Sequence, residues 1–157
     1  MFGTLASKSI AGSADGVVER PASEIFKFIA PGFFENYAKW CPEVVKLESL
    51  SETPVQQSSR GKQLTLDRGV ETESSFEVSE YVSDEKFVIT GLTDPFTSSY
   101  QIVPLGPDKC RLVFSFEIKE IDLLMRPFQK LIKRALEEGA SRTVGNIKFL
   151  LENPQPA

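Results

Sequence analysis

The sequence contains no histidine. Histidine provides the general base in Ser-His and Cys-His nucleophile pairs, and it is the commonest side-chain ligand of metals. Its absence therefore excludes catalytic Ser-His and Cys-His pairs, and it excludes metal sites with histidine ligands. Cysteine is scarce as well, because Cys41 and Cys110 are the only two and their spacing matches no zinc or redox motif. We predict two buried free thiols, no metal site and no cofactor.

The sequence also lacks an excess of positive charge and any long apolar segment. It carries 18 lysines and arginines against 22 aspartates and glutamates, a formal net charge of −4. A chain of this charge has no overall field that attracts nucleic acid or an anionic membrane. The N-terminus has neither the charged start nor the apolar run of a signal peptide, and no stretch is long enough to span a bilayer. We expect one cytoplasmic domain over residues 1–157, without nucleic-acid binding or stable membrane insertion.

The clearest pattern that is present lies at the end of the chain, over residues 122–152. Its apolar residues recur at three- and four-residue spacing, which predicts an amphipathic helix. Gly139 lies within the apolar stripe, and a glycine in the middle of a helix costs roughly 1 kcal/mol relative to alanine. Two explanations are open. The glycine could allow close contact between helix and sheet, or the small side chains around it could leave room for a ligand.

A basic cluster occupies the beginning of this helix. Its members are Arg126, Lys130, Lys133 and Arg134. Such a cluster is usually a solvated face, but it can also contact anionic lipid head groups. The carboxylates Glu137 and Glu138 and the net negative charge favour the solvated face.

The rest of the chain is typical of short strands separated by turns. Alternating and β-branched segments predict strands over residues 8–18, 43–50, 60–67, 70–81, 87–91, 96–103 and 110–118. Two short helices follow the first strand, one ending at the Pro31-Gly32 break and one over residues 33–39. Strands with two different faces need a cover on one of them, and the closing helix can provide it. The predicted fold class is α+β, a seven-stranded antiparallel sheet with a long C-terminal helix covering one face.

Several short motifs occur in the order and spacing of a known superfamily. VERPASEIF at residues 18–26 resembles the start of its first helix, and YAKWCPEVV at residues 37–45 resembles the segment that closes its second. FEVSEY at residues 76–81 with Lys86-Phe87 resembles a central strand pair, and residues 90–96 resemble the next hairpin. Over residues 7–151 the chain resembles the START-like helix-grip superfamily (SRPBCC), and within it the polyketide cyclase/dehydratase-like group. The resemblance implies a helix-grip fold, a curved seven-stranded antiparallel sheet wrapped around the long C-terminal helix, with an elongated apolar cavity between the sheet and that helix.

Strand alternation and helix phase predict which residues line such a cavity. The sheet side is predicted to contribute Leu64, Leu66, Phe76, Val78, Ile89, Tyr100, Ile102, Leu112, Phe114 and Phe116. The helix side is predicted to contribute Phe128, Ile132, Ala135, Leu136 and Gly139, with Trp40 at the mouth. For each residue the alternative is ordinary core packing, which stabilises by ~1.5–3 kcal/mol for a large apolar side chain.

Few polar groups are candidates for the cavity. Tyr100 shares a strand face with Ile102, and a buried phenol needs a hydrogen-bond partner, so Tyr100 is the leading candidate for a polar contact. Lys62 and Arg68 share the parity of the predicted lining of their strand and could place a cation there. The strand carboxylates interpreted as a solvated face are Glu71, Glu73 and Glu77. No catalytic residue is assigned.

Three functions are compatible with these features. The leading hypothesis is the binding or transport of a hydrophobic small molecule, such as a lipid, a polyketide or a quinone-like compound. The second hypothesis, also compatible with the resemblance, is a cyclase or dehydratase in which Tyr100 or an inward arginine handles a proton. A co-chaperone or an accessory protein of quinone synthesis would instead expose a sizeable apolar patch. The identity of the ligand, any reaction and the oligomeric state stay open.

Overall fold

The computed structural model describes residues 9–154. Its strands are β1 (Ile10–Val18), β2 (Val44–Ser49), β3 (Arg60–Asp67), β4 (Val70–Val82), β5 (Lys86–Gly91), β6 (Phe96–Gly106) and β7 (Lys109–Ile118). Its helices are α1 (Ala22–Ile29), α2 (Phe33–Trp40), a 3₁₀ helix (Leu123–Phe128) and α3 (Gln129–Glu152). The predicted first strand began at Lys8, which lies outside the described residues.

The strands form one seven-stranded sheet in the order β1-β7-β6-β5-β4-β3-β2. All neighbouring strands run antiparallel. The two short helices α1 and α2 connect the edge strands β1 and β2, while α3 packs mainly against β1 and β7. The predicted helix-grip architecture is confirmed, with each strand within a few residues of its expected bounds.

The closing helix begins later than its apolar periodicity suggested. Residues 123–128 form a 3₁₀ helix that contains Pro127, and the α-helix starts at Gln129. Proline disfavours the α conformation in the residue before it, so Arg126 cannot easily continue a regular α-helix. The side chain of Asp122 caps the 3₁₀ helix by accepting a hydrogen bond from the Leu124 amide at 3.2 Å.

Close contact between α3 and the sheet depends on a glycine of β1. A Cβ atom added to Gly12 would lie 2.5 Å from the backbone nitrogen of Glu137 and 2.5 Å from the backbone carbon of Leu136. Both distances are far inside van der Waals contact, and backbone atoms cannot move aside cheaply. Gly12 therefore allows the helix backbone to lie directly on β1.

A cluster of aromatic rings fills the space beneath α1 and α2. The Phe33 ring lies 4.5 Å from Tyr37, 5.8 Å from Phe76 and 5.3 Å from Phe87 between ring centroids. Phe33, Phe76 and Phe87 have at most 1% of their surface exposed. Large rings at these distances leave no room for a ligand, so this part of the sheet is a solid core.

The predicted inward face of β3 is wrong. Leu66 is 43% exposed and Leu64 is only half-buried. The register of the β3–β4 hairpin pairs Leu64 with Glu73 and Leu66 with Glu71. Residues that pair directly across two strands share a face of the sheet, so both leucines lie on the outer face with the carboxylates. Lys62 lies there too, and its ammonium group is 3.4 Å from Glu73.

Candidate functional site

A cavity of about 170 Å³ lies beneath α3, bounded by β6, β7 and the connection from α2 to β2. It is partly open to solvent. Its lining consists of Tyr37, Trp40, Cys41, Pro42, Glu43, Ser98, Tyr100, Phe114, Phe116, Ala135, Leu136, Gly139, Ala140, Arg142, Thr143 and Asn146. The wall is therefore mixed in polarity, with more polar groups than the mostly apolar cavity that the sequence predicted.

Small side chains of α3 create the space. Ala135, Gly139 and Ala140 line the cavity from the helix side. A Cβ atom on Gly139 would meet only one atom within 4 Å, Nη2 of Arg142 at 3.7 Å. Gly139 is thus not required for close contact between helix and sheet, a role that Gly12 fills. Of the two explanations for Gly139, the structure supports the one in which it leaves room.

The central polar contact of the cavity joins the only tryptophan to a tyrosine. Trp40 Nε1 donates a hydrogen bond to the hydroxyl oxygen of Tyr100 at 3.2 Å, and both side chains are buried. Burial raises the pKa of Tyr100 far above its ordinary value, and the Trp40 hydrogen bond offsets only part of this effect. The hydroxyl is therefore neutral. Its own hydrogen has no acceptor among residues 9–154, so it can donate to a molecule in the cavity.

A second polar group lies where α2 ends and β2 begins. The Cys41 thiol donates to Oε2 of Glu43 at 3.4 Å. Burial, and then the negative charge of Glu43, raise the pKa of Cys41 to about 12. Burial, followed by the proximity of Cys41, also raises the pKa of the Tyr37 hydroxyl. Because nucleophilic attack requires the thiolate, this cysteine is not an activated nucleophile at neutral pH.

Both cysteines are free, as expected from the sequence. Cys110 is buried in the core, whereas Cys41 is half-buried and lines the cavity.

Polar residues of α3 surround the mouth of the cavity. Asn146 donates a hydrogen bond to the backbone oxygen of Trp40 at 3.1 Å, which ties α3 to the end of α2. Arg142 and Thr143 line the cavity one turn earlier. Arg142 forms no ion pair with any residue in the range 9–154, and Glu43 lines the same cavity. A positive and a negative group are thus both available to the polar end of a ligand.

The structure brings part of the predicted lining together. The residues that meet at the cavity are Trp40, Tyr100, Phe114, Phe116, Ala135, Leu136 and Gly139. A further five lie in the solid core instead, namely Phe76, Val78, Ile89, Ile102 and Leu112. Their strand face was predicted correctly, but α1 and α2 fill the space in front of most of them.

Four predicted lining residues lie elsewhere. Leu64 and Leu66 occupy the outer face of β3 because of the hairpin register. Phe128 ends the 3₁₀ helix and is 51% exposed, since the break at Pro127 changes the phase of the helix. Ile132 is half-buried in the first turn of α3, one turn before the cavity begins at Ala135.

Sequence reasoning missed the polar half of the lining. Arg142, Thr143 and Asn146 follow Gly139 at three, four and seven residues, so helix phase alone places them on the same side as that glycine. Ser98 shares the strand parity of Tyr100. No comparable signal marks the loop residues 41–43, which reach the cavity only through the fold.

The described part of the chain contains neither a group of side chains that could hold a metal ion nor a helix that could cross a membrane. Among residues 9–154, no three histidine, cysteine, aspartate or glutamate side chains are grouped closely enough to hold a metal ion. In the same range no helix has both the length and the apolar character that crossing a membrane requires.

Solved structures of similar fold cover nearly the whole chain. The Zhui aromatase/cyclase from Streptomyces sp. R1128 has a TM-score of 0.77 at 12% identity, over 96% of this chain and 98% of its own. Norcoclaurine synthase from Thalictrum flavum has a TM-score of 0.70 at 13% identity, over 99% and 94%. A START superfamily protein from Mycobacterium smegmatis has a TM-score of 0.68 at 20% identity, over 89% and 98%. Identities this low establish the shared fold and nothing more.

The sequence matches a family model directly, although no curated protein matches it. The model describes polyketide cyclases, dehydrases and lipid transport proteins, and it covers residues 11–152. This range runs from β1 to the last residue of α3, so it includes every element that builds the cavity. The chain belongs to the polyketide cyclase/dehydrase and lipid transport family, on the START-like helix-grip fold.

Proposed function

We propose that this protein binds a small hydrophobic molecule of about one aromatic ring in the cavity beneath α3. The observation that carries the proposal is the cavity of about 170 Å³ walled by aromatic rings and by the open side of Gly139. An engineered cavity of about 150 Å³ is large enough for benzene, whereas pockets for drug-sized ligands measure about 300–1,000 Å³. The volume thus favours a single ring with small substituents over a lipid chain or a polycyclic polyketide.

Tyr100 supports a second property of the ligand, a hydrogen-bond acceptor. Its buried hydroxyl already accepts from Trp40 and has one hydrogen left to donate. A buried donor without a partner costs about 1–3 kcal/mol, so a ligand that supplies a carbonyl, ether or hydroxyl oxygen gains specificity. Norcoclaurine synthase, a structural neighbour, is known in complex with dopamine and hydroxybenzaldehyde. Both are single-ring molecules with oxygen substituents, which agrees with the proposal.

Trp40 fluorescence tests the proposal directly because Trp40 is the only tryptophan and lines the cavity. Acetophenone, a ring with a carbonyl, should quench the fluorescence in a saturable titration. Ethylbenzene, which lacks the acceptor, should compete more than tenfold more weakly, a difference of about 1.4 kcal/mol. Palmitate should not compete. Preferential binding of palmitate would contradict the ring-sized ligand.

A pair of glycine variants controls for effects outside the cavity. Gly139→Leu should fill the cavity and abolish binding. Gly145→Leu introduces the same side chain on the same helix, at a position where a Cβ meets no other atom within 4 Å and which does not line the cavity. It should bind acetophenone as the wild type does. Equal loss of binding in both variants would refute the assignment of the cavity.

A cyclase or dehydratase activity is the second candidate. It is favoured by Glu43, the one carboxylate among the residues that line the cavity within the range 9–154. Cyclisation and dehydration need a positioned acid or base, and Glu43 and Tyr100 could share these roles. A carrier would keep its affinity in a Glu43→Gln variant, whereas an enzyme would lose turnover of a single-ring polyketide-like substrate while folding and binding persist.

A further inference from the structure

An exposed apolar segment precedes the cavity wall along the chain. Five large apolar side chains lie within residues 123–131, and their exposed fractions are 52% for Leu123, 80% for Leu124, 44% for Met125, 51% for Phe128 and 65% for Leu131. Single exposed apolar residues are common on protein surfaces, but several large ones so close together in the chain are typical of an interaction site. We call these five residues the apolar patch.

The apolar patch belongs to a defined helical segment. Met125, Phe128 and Leu131 recur every three residues, a spacing that stacks side chains along a 3₁₀ helix and places neighbours on one face of an α-helix. The Leu124 amide donates a hydrogen bond to Oδ1 of Asp122 at 3.2 Å, and this cap stabilises the first turn. The patch therefore presents its side chains from a folded element rather than from an irregular loop.

Basic residues accompany the apolar patch. The cations of residues 123–136 are Arg126, Lys130, Lys133 and Arg134, and this stretch contains no aspartate or glutamate. Lys130, Lys133 and Arg134 are exposed, and Lys133 also donates to the backbone oxygen of Ala11 at 3.0 Å. The stretch thus carries four positive charges on a chain whose formal net charge is −4.

The combination of apolar and basic side chains indicates which kind of surface the apolar patch binds. We propose that the apolar patch and its basic neighbours dock this protein onto the surface of an anionic lipid bilayer, without crossing it. Apolar side chains enter the boundary between head groups and acyl chains, while lysine and arginine contact the head groups. Glu137 and Glu138 follow the stretch directly and oppose the contact, so the apolar side chains supply most of the binding, and Lys130 and Arg134 supply the preference for anionic lipid. Charges farther away have little influence, because physiological salt screens them over about 8 Å.

A second copy of the chain is disfavoured by the same charges. A two-fold dimer through this surface would place the same patch on both subunits and would bring the exposed cations Lys130 and Arg134 of both copies into one interface. The docking proposal does not depend on what the cavity holds. The apolar patch and the cavity are nevertheless neighbours along the chain, because Ala135 and Leu136 follow the patch in the same helix and line the cavity.

Vesicle sedimentation tests the proposal with the full chain and no added ligand. Wild-type protein should sediment with vesicles of phosphatidylcholine and phosphatidylserine, and much less with phosphatidylcholine alone. Leu124→Gln combined with Phe128→Ser should weaken binding at least tenfold. Lys130→Gln combined with Arg134→Gln should weaken it by about fivefold per charge, and added salt should mimic this effect.

Matched variants separate docking from general effects on the surface. Phe149→Ser removes a phenylalanine that is 61% exposed at the other end of α3. Lys27→Gln combined with Lys109→Gln removes two exposed lysines on other elements. These controls should sediment as the wild type does, and all variants should unfold at a similar urea concentration.

Two results would overturn the proposal. One is wild-type protein that does not sediment with the anionic vesicles, or patch variants that sediment equally well. The other is a wild-type dimer in analytical ultracentrifugation that Leu124→Gln dissociates, without any vesicle binding, because it would assign the patch to self-association. Failure of acetophenone binding would leave the docking proposal intact, since the two measurements share no readout.

Discussion

The inner face of the sheet is covered in two different ways. Beneath α1 and α2, in what we call the aromatic half, Phe33 meets Tyr37, Phe76 and Phe87 in a solid core. Beneath α3, in the cavity half, the sheet also presents aromatic rings, but the helix residues opposite them are the small Ala135, Gly139 and Ala140. The inner face of the sheet carries aromatic side chains in both halves. The size of the side chains on the covering helix decides whether the space becomes core or cavity.

This difference separates stability from binding. Buried rings in the aromatic half contribute about 1.5–3 kcal/mol each by removal from water. The cavity half forgoes contacts of this kind to leave space, so its stability depends on specific attachments of α3. Close packing on Gly12, the Asn146 hydrogen bond to Trp40 and the hydrogen bond from Lys148 to the backbone oxygen of Val17 in β1 are such attachments. We therefore expect changes in the two halves to have different consequences.

The largest effect is expected in the aromatic half. Phe33→Ala removes a ring with no exposed surface and leaves a cavity between α2 and the sheet. Such changes cost about 3–5 kcal/mol in free energy of unfolding. Urea denaturation measures the loss, with Phe149→Ala as the exposed control, expected within about 0.5 kcal/mol of wild type. A loss for Phe33→Ala below 1 kcal/mol would contradict the description of this half as a solid core.

The next effect concerns the chemistry of the cavity wall. Because burial and Glu43 raise the pKa of Cys41 to about 12, its thiolate is scarce at pH 8. Iodoacetamide should alkylate Cys41 more than a hundredfold more slowly than a peptide thiol, which corresponds to about 2.7 kcal/mol. Glu43→Gln removes the neighbouring negative charge and should speed the reaction. Peptide mass spectrometry distinguishes Cys41 from Cys110, and rapid alkylation of Cys41 would show that the wall is not organised in this way.

Two glycines should respond in opposite directions to the same substitution. Gly12→Ala places a methyl group against the α3 backbone and should destabilise by about 1–3 kcal/mol. Gly139→Ala meets only a flexible arginine tip and should stabilise by up to about 1 kcal/mol, because alanine favours the helix. Urea denaturation of both variants measures this contrast. Destabilisation by both substitutions to the same extent would mean that α3 lies close to the sheet at both positions.

The smallest effect is a pH dependence at the end of α3. The Lys148 ammonium at 2.8 Å and the Glu19 amide at 2.9 Å hold the pKa of Glu152 below its ordinary value near 4.5. The stabilisation is therefore present above about pH 4.5 and is lost as the pH falls through the lowered pKa. For a partly exposed pair it amounts to less than about 1 kcal/mol. Glu152→Gln should reduce the decline in stability between pH 5 and pH 3, measured by thermal unfolding at a series of pH values. An unchanged pH profile would indicate that this attachment contributes nothing.

The hairpin between β3 and β4 shows where a stronger prediction was available. Arg68 and Gly69 form a two-residue turn in which both have positive φ, at 53° and 81°. A turn of this length sets the register, and it pairs Leu66 with Glu71. Since Glu71 was already interpreted as solvated, Leu66 could have been assigned to the outer face as well. Strand alternation alone could not reveal this, because it does not say which of the two faces is covered.

The loop residues of the cavity illustrate the opposite case. Cys41 and Glu43 follow α2 in a stretch without periodicity, so no pattern assigns them to a face. They reach the cavity because α2 places the loop against β6 and α3, which are distant in sequence. The contact between Trp40 and Tyr100 likewise joins residues 60 positions apart. Pairings of this kind depend on how elements pack, and no local signal encodes them.

The sequence by itself determined the elements and their order, because apolar periodicity and turn residues act over a few neighbouring positions. Its resemblance to the START-like superfamily then implied the helix-grip architecture. The sequence also determined that α3 carries small residues at its centre. Only the tertiary structure decided that these residues face a cavity while the predicted lining at Phe76, Ile89 and Leu112 is buried in solid core. The physical reason is that an empty volume is what remains when side chains from several distant elements fail to meet. It therefore belongs to no single stretch of the chain.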